Sequence, residues 1–205
     1  MLILHTADLH LGKTVHERDL LQDQAQALDA MIDATERRKP AALIVAGDVY
    51  DRSIPPPEAI RLFDSFLSRA VEASPGLAVV VVPGNHDSAA RLSFGASLLR
   101  RANVHFRTSA EECAEPVVVE RDGERASIWA LPFLGPGAFS ASDDRAAGGR
   151  PGELPFDEPP APEGAGGDGR PAETARSQAE LFSRAVREIG ARMAAGAEVG
   201  RGLKS

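Results

Sequence analysis

Three short polar clusters hold the residue types that bind metal ions and move protons. They are Asp8-Leu-His10, Gly47-Asp-Val-Tyr-Asp51 and Gly84-Asn-His-Asp87. Their carboxylate, amide and imidazole groups suit Mn²⁺, Fe or Zn²⁺, and the only cysteine, Cys113, lies outside all three. Two such ions about 3.5–4 Å apart can hold both the attacking and the leaving oxygen of a phosphate ester. The clusters therefore predict metal-dependent hydrolysis of a phosphate ester.

Each cluster follows an apolar run that predicts a buried strand, and amphipathic helices are predicted between these strands. Three such strand–helix units followed by a hairpin at Asp122-Gly123 predict an α/β fold, a mixed sheet with flanking helices. Because ligands bind outside the carboxyl ends of parallel strands, we expect the clusters to share one crevice. The predicted strands cover 2–7, 41–46, 77–82, 104–106, 116–121 and 126–131. The predicted helices cover 20–37 and 88–101, and a further helix starts at Pro55-Pro-Pro57. The buried side of that further helix is predicted to comprise Ile60, Phe63, Leu67 and Ala70.

Four residues in these clusters are predicted to bind metal. Asp8 and His10 are two positions apart, which in extended backbone places both side chains on one face, where they can hold one ion. Asp48 follows a glycine that lets the chain turn off the strand, and its two oxygens can bridge two ions. Asn85, in the third cluster, offers an amide carbonyl oxygen, which is a hard oxygen ligand.

Two further residues are predicted to act on protons. His86 is not needed as a ligand, so it can serve as a proton donor or stabilise the transition state. Asp51 can orient His86 through a carboxylate–imidazole hydrogen bond. An ordinary turn also explains Gly47-Asp48, but turns rarely need three consecutive polar side chains, as in Asn85-His-Asp87.

The composition changes after residue 134. Nine glycines and seven prolines fall between Gly135 and Pro171, so residues 135–172 are predicted to be a disordered insertion. Residues 173–205 are predicted to form an amphipathic helix, over 174–195, and a tail. The apolar stripe of that helix comprises Ala179, Phe182, Val186, Ile189 and Met193.

Net charge, hydropathy and cysteine content indicate which binding modes and which cellular compartment are expected. The net charge is -7, which argues against binding nucleic acid through bulk positive charge, although bound metal ions can supply positive charge locally. The longest apolar run, 77–82, is far shorter than the roughly 20 residues of a membrane span. With a single cysteine and no basic segment before the first apolar residues, we expect a cytoplasmic protein that binds no membrane.

The three clusters resemble the motifs of the calcineurin-like metallophosphoesterases, which read Asp-x-His, Gly-Asp-x-x-Asp and Gly-Asn-His-Asp/Glu. Within that family, residues 3–12, 46–57 and 82–88, together with Trp129-Ala-Leu-Pro-Phe-Leu134, are similar to the SbcD nuclease branch. The resemblance covers about 1–134 and implies a metallophosphoesterase sandwich that is incomplete at its C-terminus.

The resemblance implies a DNA exonuclease or endonuclease that acts in DNA repair, recombination and replication with two divalent ions, typically Mn²⁺. By position, Asp8 and His10 would bind the first ion, Asp48 would bridge, Asn85 would bind the second, and His86 would act near the leaving group with Asp51 as its partner. Arg52, just after the second motif, and Lys13, just after the first, are candidate contacts for phosphate or DNA. The implied partners are DNA, an SbcC-type coiled-coil ATPase and, in a complete protein, a second copy of the chain.

The sequence also departs from the family. It contains no histidine after His105, whereas the family has a lone histidine and a Gly-His-x-His motif further along. We therefore expect a truncated or frameshifted chain with impaired activity. Two alternatives remain open: another calcineurin-like phosphoesterase, acting on a phosphoprotein or a nucleotide, and a catalytically inactive fragment.

Overall fold

The computed structural model describes residues 1–135, 138–139 and 177–202. In chain order, the elements are β1 (Ile3–Ala7), β2 (Thr14–Val15), β3 (Arg18–Asp19), α1 (Leu21–Arg38), β4 (Ala42–Ala46), α2 (Pro57–Ala73), β5 (Ala78–Val82), α3 (Ala89–Leu92), α4 (Ala96–Leu99), β6 (Val104–Phe106), β7 (Val117–Arg121), β8 (Glu124–Ile128) and α5 (Gln178–Gly202). Within the described residues, a four-stranded sheet has the order β1-β4-β5-β6, and all its pairs are parallel. Helical connections join its successive strands, as parallel pairing requires.

Helices α1 and α2 cover one face of this sheet. β4 and β5 pair in a register that places Leu43 beside Val79 and Val45 beside Val81, so four aliphatic side chains face the helices together. Each such side chain stabilises the fold by about 1.5–3 kcal/mol when fully buried. The core of this layer includes Leu28, Ile32, Leu43, Val45, Phe63, Phe66, Val79 and Val81.

A β-hairpin covers part of the other face. β7 and β8 pair antiparallel around Asp122 and Gly123, whose φ angles of 53° and 77° are those of the predicted two-residue turn. A mixed sheet would require these strands to join the central sheet. Instead, β7 and β8 form a separate two-stranded sheet, so the expectation of a mixed sheet was wrong. The α/β sandwich class is confirmed, and its second layer packs through Ala42, Ala78, Val80, Val82, Val117 and Val119.

Three local expectations were wrong. β1 is not buried, because it lies at the edge of the described sheet, where Ile3 remains 38% exposed. The predicted helix over 88–101 is broken, because Gly95 takes a left-handed φ of 74° between α3 and α4. Ile60 does not line the buried side of α2: Ala59 and Phe66 are buried there instead.

Helix α5 buries a different face from the one that the sequence predicted. Leu181 and Ala185 are buried against Phe139, whereas Phe182, Val186 and Met193 of the predicted stripe are exposed. The helix also continues to Gly202, through residues expected to form a tail. Most of the predicted insertion, 135–172, lies outside the described residues. None of the helices in the described ranges has the length and apolar character needed to cross a membrane.

Candidate metal centre

The three polar clusters meet at the carboxyl ends of β1, β4 and β5, as the strand pattern predicted. Backbone hydrogen bonds fix how these loops lie against one another. The His10 N–H donates to the carbonyl oxygen of Asp48 over 2.8 Å, and the Gly47 N–H donates to the carbonyl oxygen of Val82 over 2.8 Å. The relative positions of the side chains are therefore set by main-chain contacts.

Three side chains form a possible ion site. Ligand atoms of His10, Asp48 and His86 all lie within 4.8 Å of one another, and His10 Nε2 is 3.6 Å from Asp48 Oδ2. Ligands about 2.1 Å from one ion are at most about 4.2 Å apart, so small side-chain rotations suffice to bind it. An imidazole and a carboxylate are suitable donors for Mn²⁺, Fe or Zn²⁺. His10 and Asp48 therefore fit a divalent ion, and His86 lies close enough to act on a group bound to that ion.

The backbone at these residues is unusual. Asp8, His10 and Asp48 have φ angles of 54°, 44° and 28°, in the left-handed region that residues other than glycine rarely adopt. The expectation that extended backbone places Asp8 and His10 on one face was therefore wrong, since β1 ends at Ala7. Strained backbone of this kind costs about 1–3 kcal/mol per residue and clusters at functional sites.

Gly84 allows the third loop to approach Asp48. A Cβ atom at position 84 would lie 2.1 Å from Asp48 Oδ1, so no other residue fits without a shift. That same oxygen accepts a hydrogen bond from the His86 N–H over 2.9 Å. Asp48 is only 7% exposed. Its Oδ1 is hydrogen-bonded to the third loop, and its Oδ2 faces His10.

Asp87 fastens two of the loops together, a role that the sequence did not reveal. Its carboxylate accepts hydrogen bonds from the N–H groups of Val49 and Tyr50 over 2.9 Å each, and from that of Gly84 over 3.0 Å. Burial, followed by the charges of Asp87 and Asp64, raises the pKa of Tyr50 to about 12. The last residue of the Gly-Asn-His-Asp motif is therefore a structural support for the centre.

Gln24, on α1, holds the first loop and was also missed. Its side-chain oxygen accepts from the Gly12 N–H over 3.0 Å, and its amide nitrogen donates to the carbonyl oxygens of His10 and Leu9 over 2.7 and 3.2 Å. A glutamine on an amphipathic helix gives no signal of such a contact in the sequence.

The predicted bond between the Asp51 carboxylate and His86 was wrong. His86 Nδ1 instead contacts the backbone carbonyl oxygen of Asp51, 2.8 Å away. This hydrogen bond raises the pKa of His86, and the charges of Asp48 and Asp51 add to the effect, while desolvation and Lys13 oppose it. His86 is exposed, with its imidazole edge-on to that of His10 at a centroid distance of 5.1 Å.

The remaining candidates lie around this group. The Asp51 carboxylate is near Lys13, whose Nζ is 3.6 Å from Oδ1, and near Arg52, whose Nε is 4.0 Å from Oδ2. Asn85 is exposed on the loop beside His86. Asp8 is exposed next to Gly47, where an added Cβ would lie 3.4 Å from Asp8 Oδ1, but it is not one of the three grouped ligands.

Residues 1–158 match the family model for calcineurin-like phosphoesterases. The chain belongs to this family. Calcineurin-like phosphoesterases bind divalent metal ions, and the grouped His10, Asp48 and His86 lie within the matched residues.

A curated relative extends the comparison. The chain is 34% identical over 133 residues to a protein of Staphylococcus saprophyticus, the SbcD subunit of the nuclease SbcCD. This match covers 65% of the chain and 34% of the relative, so the chain spans about a third of the length of this curated phosphoesterase. The match to the family model includes the residues that carry the three polar clusters.

Proposed function

We propose that the chain carries the first part of the metal centre of an SbcD-type nuclease, which hydrolyses phosphodiester bonds of DNA in the cytoplasm during repair and recombination. The observation that carries this proposal is the convergence of His10, Asp48 and His86 at the strand ends of a calcineurin-like phosphoesterase. The staphylococcal relative, which is a nuclease subunit, supports DNA as the substrate.

The proposed centre takes two divalent ions, with Mn²⁺ as the favoured metal. Asp8 and His10 would hold the first ion, Asn85 would hold the second, and Asp48 would lie between them. When bound, these ions supply Lewis acidity to the phosphate and lower the pKa of coordinated water. Asp48, whose side chain is buried, would contribute its carboxylate to both ions.

His86 supplies a proton to the leaving oxygen. Its Nδ1 donates to the Asp51 carbonyl oxygen, so Nε2 is the nitrogen left to carry the transferred proton. The same hydrogen bond raises the pKa of the imidazole, which favours the protonated form that can donate. Lys13 and Arg52, both at least 42% exposed, lie beside this centre and are placed to contact the DNA phosphates.

Two protein partners belong to this proposal. An SbcC-type coiled-coil ATPase follows from the relative, which is one subunit of SbcCD. A second copy of the chain is supported by an apolar patch, which we define as Ile60 and Phe94, with exposures of 46% and 89%. Ile60 and Phe94 line one cavity of about 230 Å³. Exposed apolar clusters of this kind mark interaction surfaces.

A chimera tests the function. The 133-residue matched segment of the staphylococcal relative is replaced by the corresponding segment of this chain, and hydrolysis of linear duplex DNA is measured with Mn²⁺ and with a chelator. We expect chelator-sensitive hydrolysis that is lost in Asp48→Ala. In His86→Ala, turnover should fall about 10²–10⁴-fold while Mn²⁺ binding persists, because a proton donor contributes that much.

The unaltered relative and an Asp33→Asn chimera are the controls, since Asp33 is exposed on α1 and away from the centre. A folded chimera that hydrolyses a phosphopeptide or a nucleotide but not DNA would contradict the nuclease assignment. Equal loss of metal in Asp48→Ala and His86→Ala would contradict the separate role of His86. The 205-residue chain by itself is expected to hydrolyse DNA poorly, because it has no histidine after His105.

A further inference from the structure

His10 faces a different carboxylate with each of its ring nitrogens. Nε2 lies 3.6 Å from Asp48 Oδ2, on the side of the grouped ligands, and Nδ1 lies 3.4 Å from Asp51 Oδ1. Nδ1 is buried and makes no hydrogen bond within the part of the chain that the structure describes. A buried ring nitrogen without a hydrogen bond is unfavourable, so the adjacent Asp51 oxygen is its natural acceptor.

The Asp51 carboxylate is available for this contact because His86 does not use it. His86 Nδ1 contacts the backbone carbonyl oxygen of Asp51, which leaves both carboxylate oxygens to other groups. The side chain is only 18% exposed, and Lys13 Nζ lies 3.6 Å from the oxygen that faces His10. Lys13 and the imidazole thus hold the carboxylate from two directions.

The backbone also fixes Asp51 relative to the loop of His10. The Asp51 N–H donates to the carbonyl oxygen of Leu11 over 3.2 Å, and the Leu11 N–H donates to that of Val49 over 2.9 Å. Leu11 and Tyr50 form an isolated parallel bridge at the same point. Asp51 and His10 therefore belong to two loops whose separation does not depend on their side chains.

We propose that Asp51 is a positioning residue for His10: its carboxylate accepts the Nδ1 proton of His10, which directs Nε2 towards Asp48 and the ion. This inference rests on the proposed metal centre. Metal-binding histidines usually donate their other N–H to a carboxylate or carbonyl, which fixes the tautomer and the ring orientation. The 3.4 Å separation fits such a contact, since hydrogen bonds at these sites are often long before the ligand binds.

Mn²⁺ affinity of the full chain tests this role, measured from the electron paramagnetic resonance signal of free Mn²⁺. Asp51→Ala should weaken binding about 10–100-fold, the usual effect of removing a residue that orients a ligand. Asp51→Asn should weaken it less, because the amide oxygen can still accept. Asp33→Asn is the matched control, since Asp33 is an exposed carboxylate on α1, and this variant should bind Mn²⁺ like the wild type.

The imidazole tautomer gives a second readout that needs no metal. In nitrogen-15 spectra of the metal-free chain, with His10 assigned by the loss of its signals in His10→Asn, the proton should reside on Nδ1. It should move to Nε2 in Asp51→Ala, while His86 keeps its proton on Nδ1, because the backbone carbonyl oxygen of Asp51 is still present in the variant. An unchanged His10 tautomer would overturn the proposal.

The outcomes separate the two proposals. If the wild type binds Mn²⁺, Asp48→Ala does not, and Asp51→Ala binds like the wild type, the positioning role is wrong while the metal centre stands. If neither the wild type nor any variant binds Mn²⁺, the metal centre fails, and the positioning role fails with it. If the Asp51→Ala chain does not fold, Asp51→Leu provides the test, because leucine has no acceptor: an unchanged Mn²⁺ affinity together with an unchanged His10 tautomer in that variant contradicts the role.

Discussion

Gly84 and Asp48 touch only because position 84 has no side chain: a Cβ there would lie 2.1 Å from Asp48 Oδ1 and 2.4 Å from the Asp48 nitrogen. The loop after β5 thus reaches the Asp48 carboxylate through a glycine whose role is spatial. In Gly84→Ala, the loop or the carboxylate must shift.

Gly84→Ala should lower the free energy of unfolding by about 1–3 kcal/mol, the usual cost of overpacking, and should also weaken Mn²⁺ binding. Gly190→Ala is the control, because a Cβ there meets no atom within 4 Å, and it should be neutral or slightly stabilising in a helix. Urea unfolding and a Mn²⁺ titration measure both effects. Wild-type stability and affinity in Gly84→Ala would show that the two loops are not in contact.

Asp87→Ala should destabilise the chain by at least about 2 kcal/mol, because hydrogen bonds to charged groups contribute about 1.5–3 kcal/mol each. Three backbone N–H groups, from Val49, Tyr50 and Gly84, lose their acceptor in this variant. Asp33→Asn, an exposed change on α1, is the comparison. Equal urea midpoints for the two variants would mean that Asp87 does not hold the loops.

Tyr50 is the only tyrosine, so its titration can be followed directly by tyrosinate absorbance. Burial raises its pKa from 10.0 to about 12, so the native chain at about pH 11 should keep most of the phenol protonated, whereas the denatured chain should be mostly ionised. Because the folded pKa is raised, this group's contribution to stability is complete below pH 10 and is lost as the pH rises towards 12. Asp64→Asn should lower the pKa, since the Asp64 charge raises it. A native midpoint near 10 would contradict the burial of Tyr50.

The apolar patch should control self-association. The double variant Ile60→Ser and Phe94→Ser should sediment as a monomer at concentrations where the wild type forms a dimer. Phe182→Ser is the matched control, because Phe182 is a 56% exposed phenylalanine on α5 and is not part of the patch. An unchanged dimer in the double variant, or a monomeric wild type, would contradict a dimer interface at this patch.

The sequence predicted the convergence of the clusters because three apolar runs, each followed by polar residues, define parallel strands and a common edge. It could not predict which side chains meet there. The left-handed backbone of Asp8 and His10 is not a preference of those residue types, and so the extended geometry expected for them was wrong. Hydrogen bonds from Asp87 and Gln24 to backbone groups likewise depend on the folded loops.

Elsewhere, the errors arose where tertiary contacts outweighed local pattern. The spacing of Phe182, Val186 and Met193 indicates one apolar stripe, yet α5 packs through Leu181 and Ala185 because Phe139 and Cys113 lie on that side. Periodicity shows that a helix has an apolar face, but the residues available to cover it decide which face is buried.

The position of the ion is the most direct test of the proposed metal centre. An anomalous difference map from a crystal of the chain grown with Mn²⁺ should show a peak about 2.0–2.4 Å from both His10 Nε2 and Asp48 Oδ2, the distances typical of such ligands. The peak should vanish in Asp48→Ala crystals grown in the same way. A Mn²⁺ peak elsewhere on the surface, with none between His10 and Asp48, would contradict the metal centre and the nuclease function proposed for it.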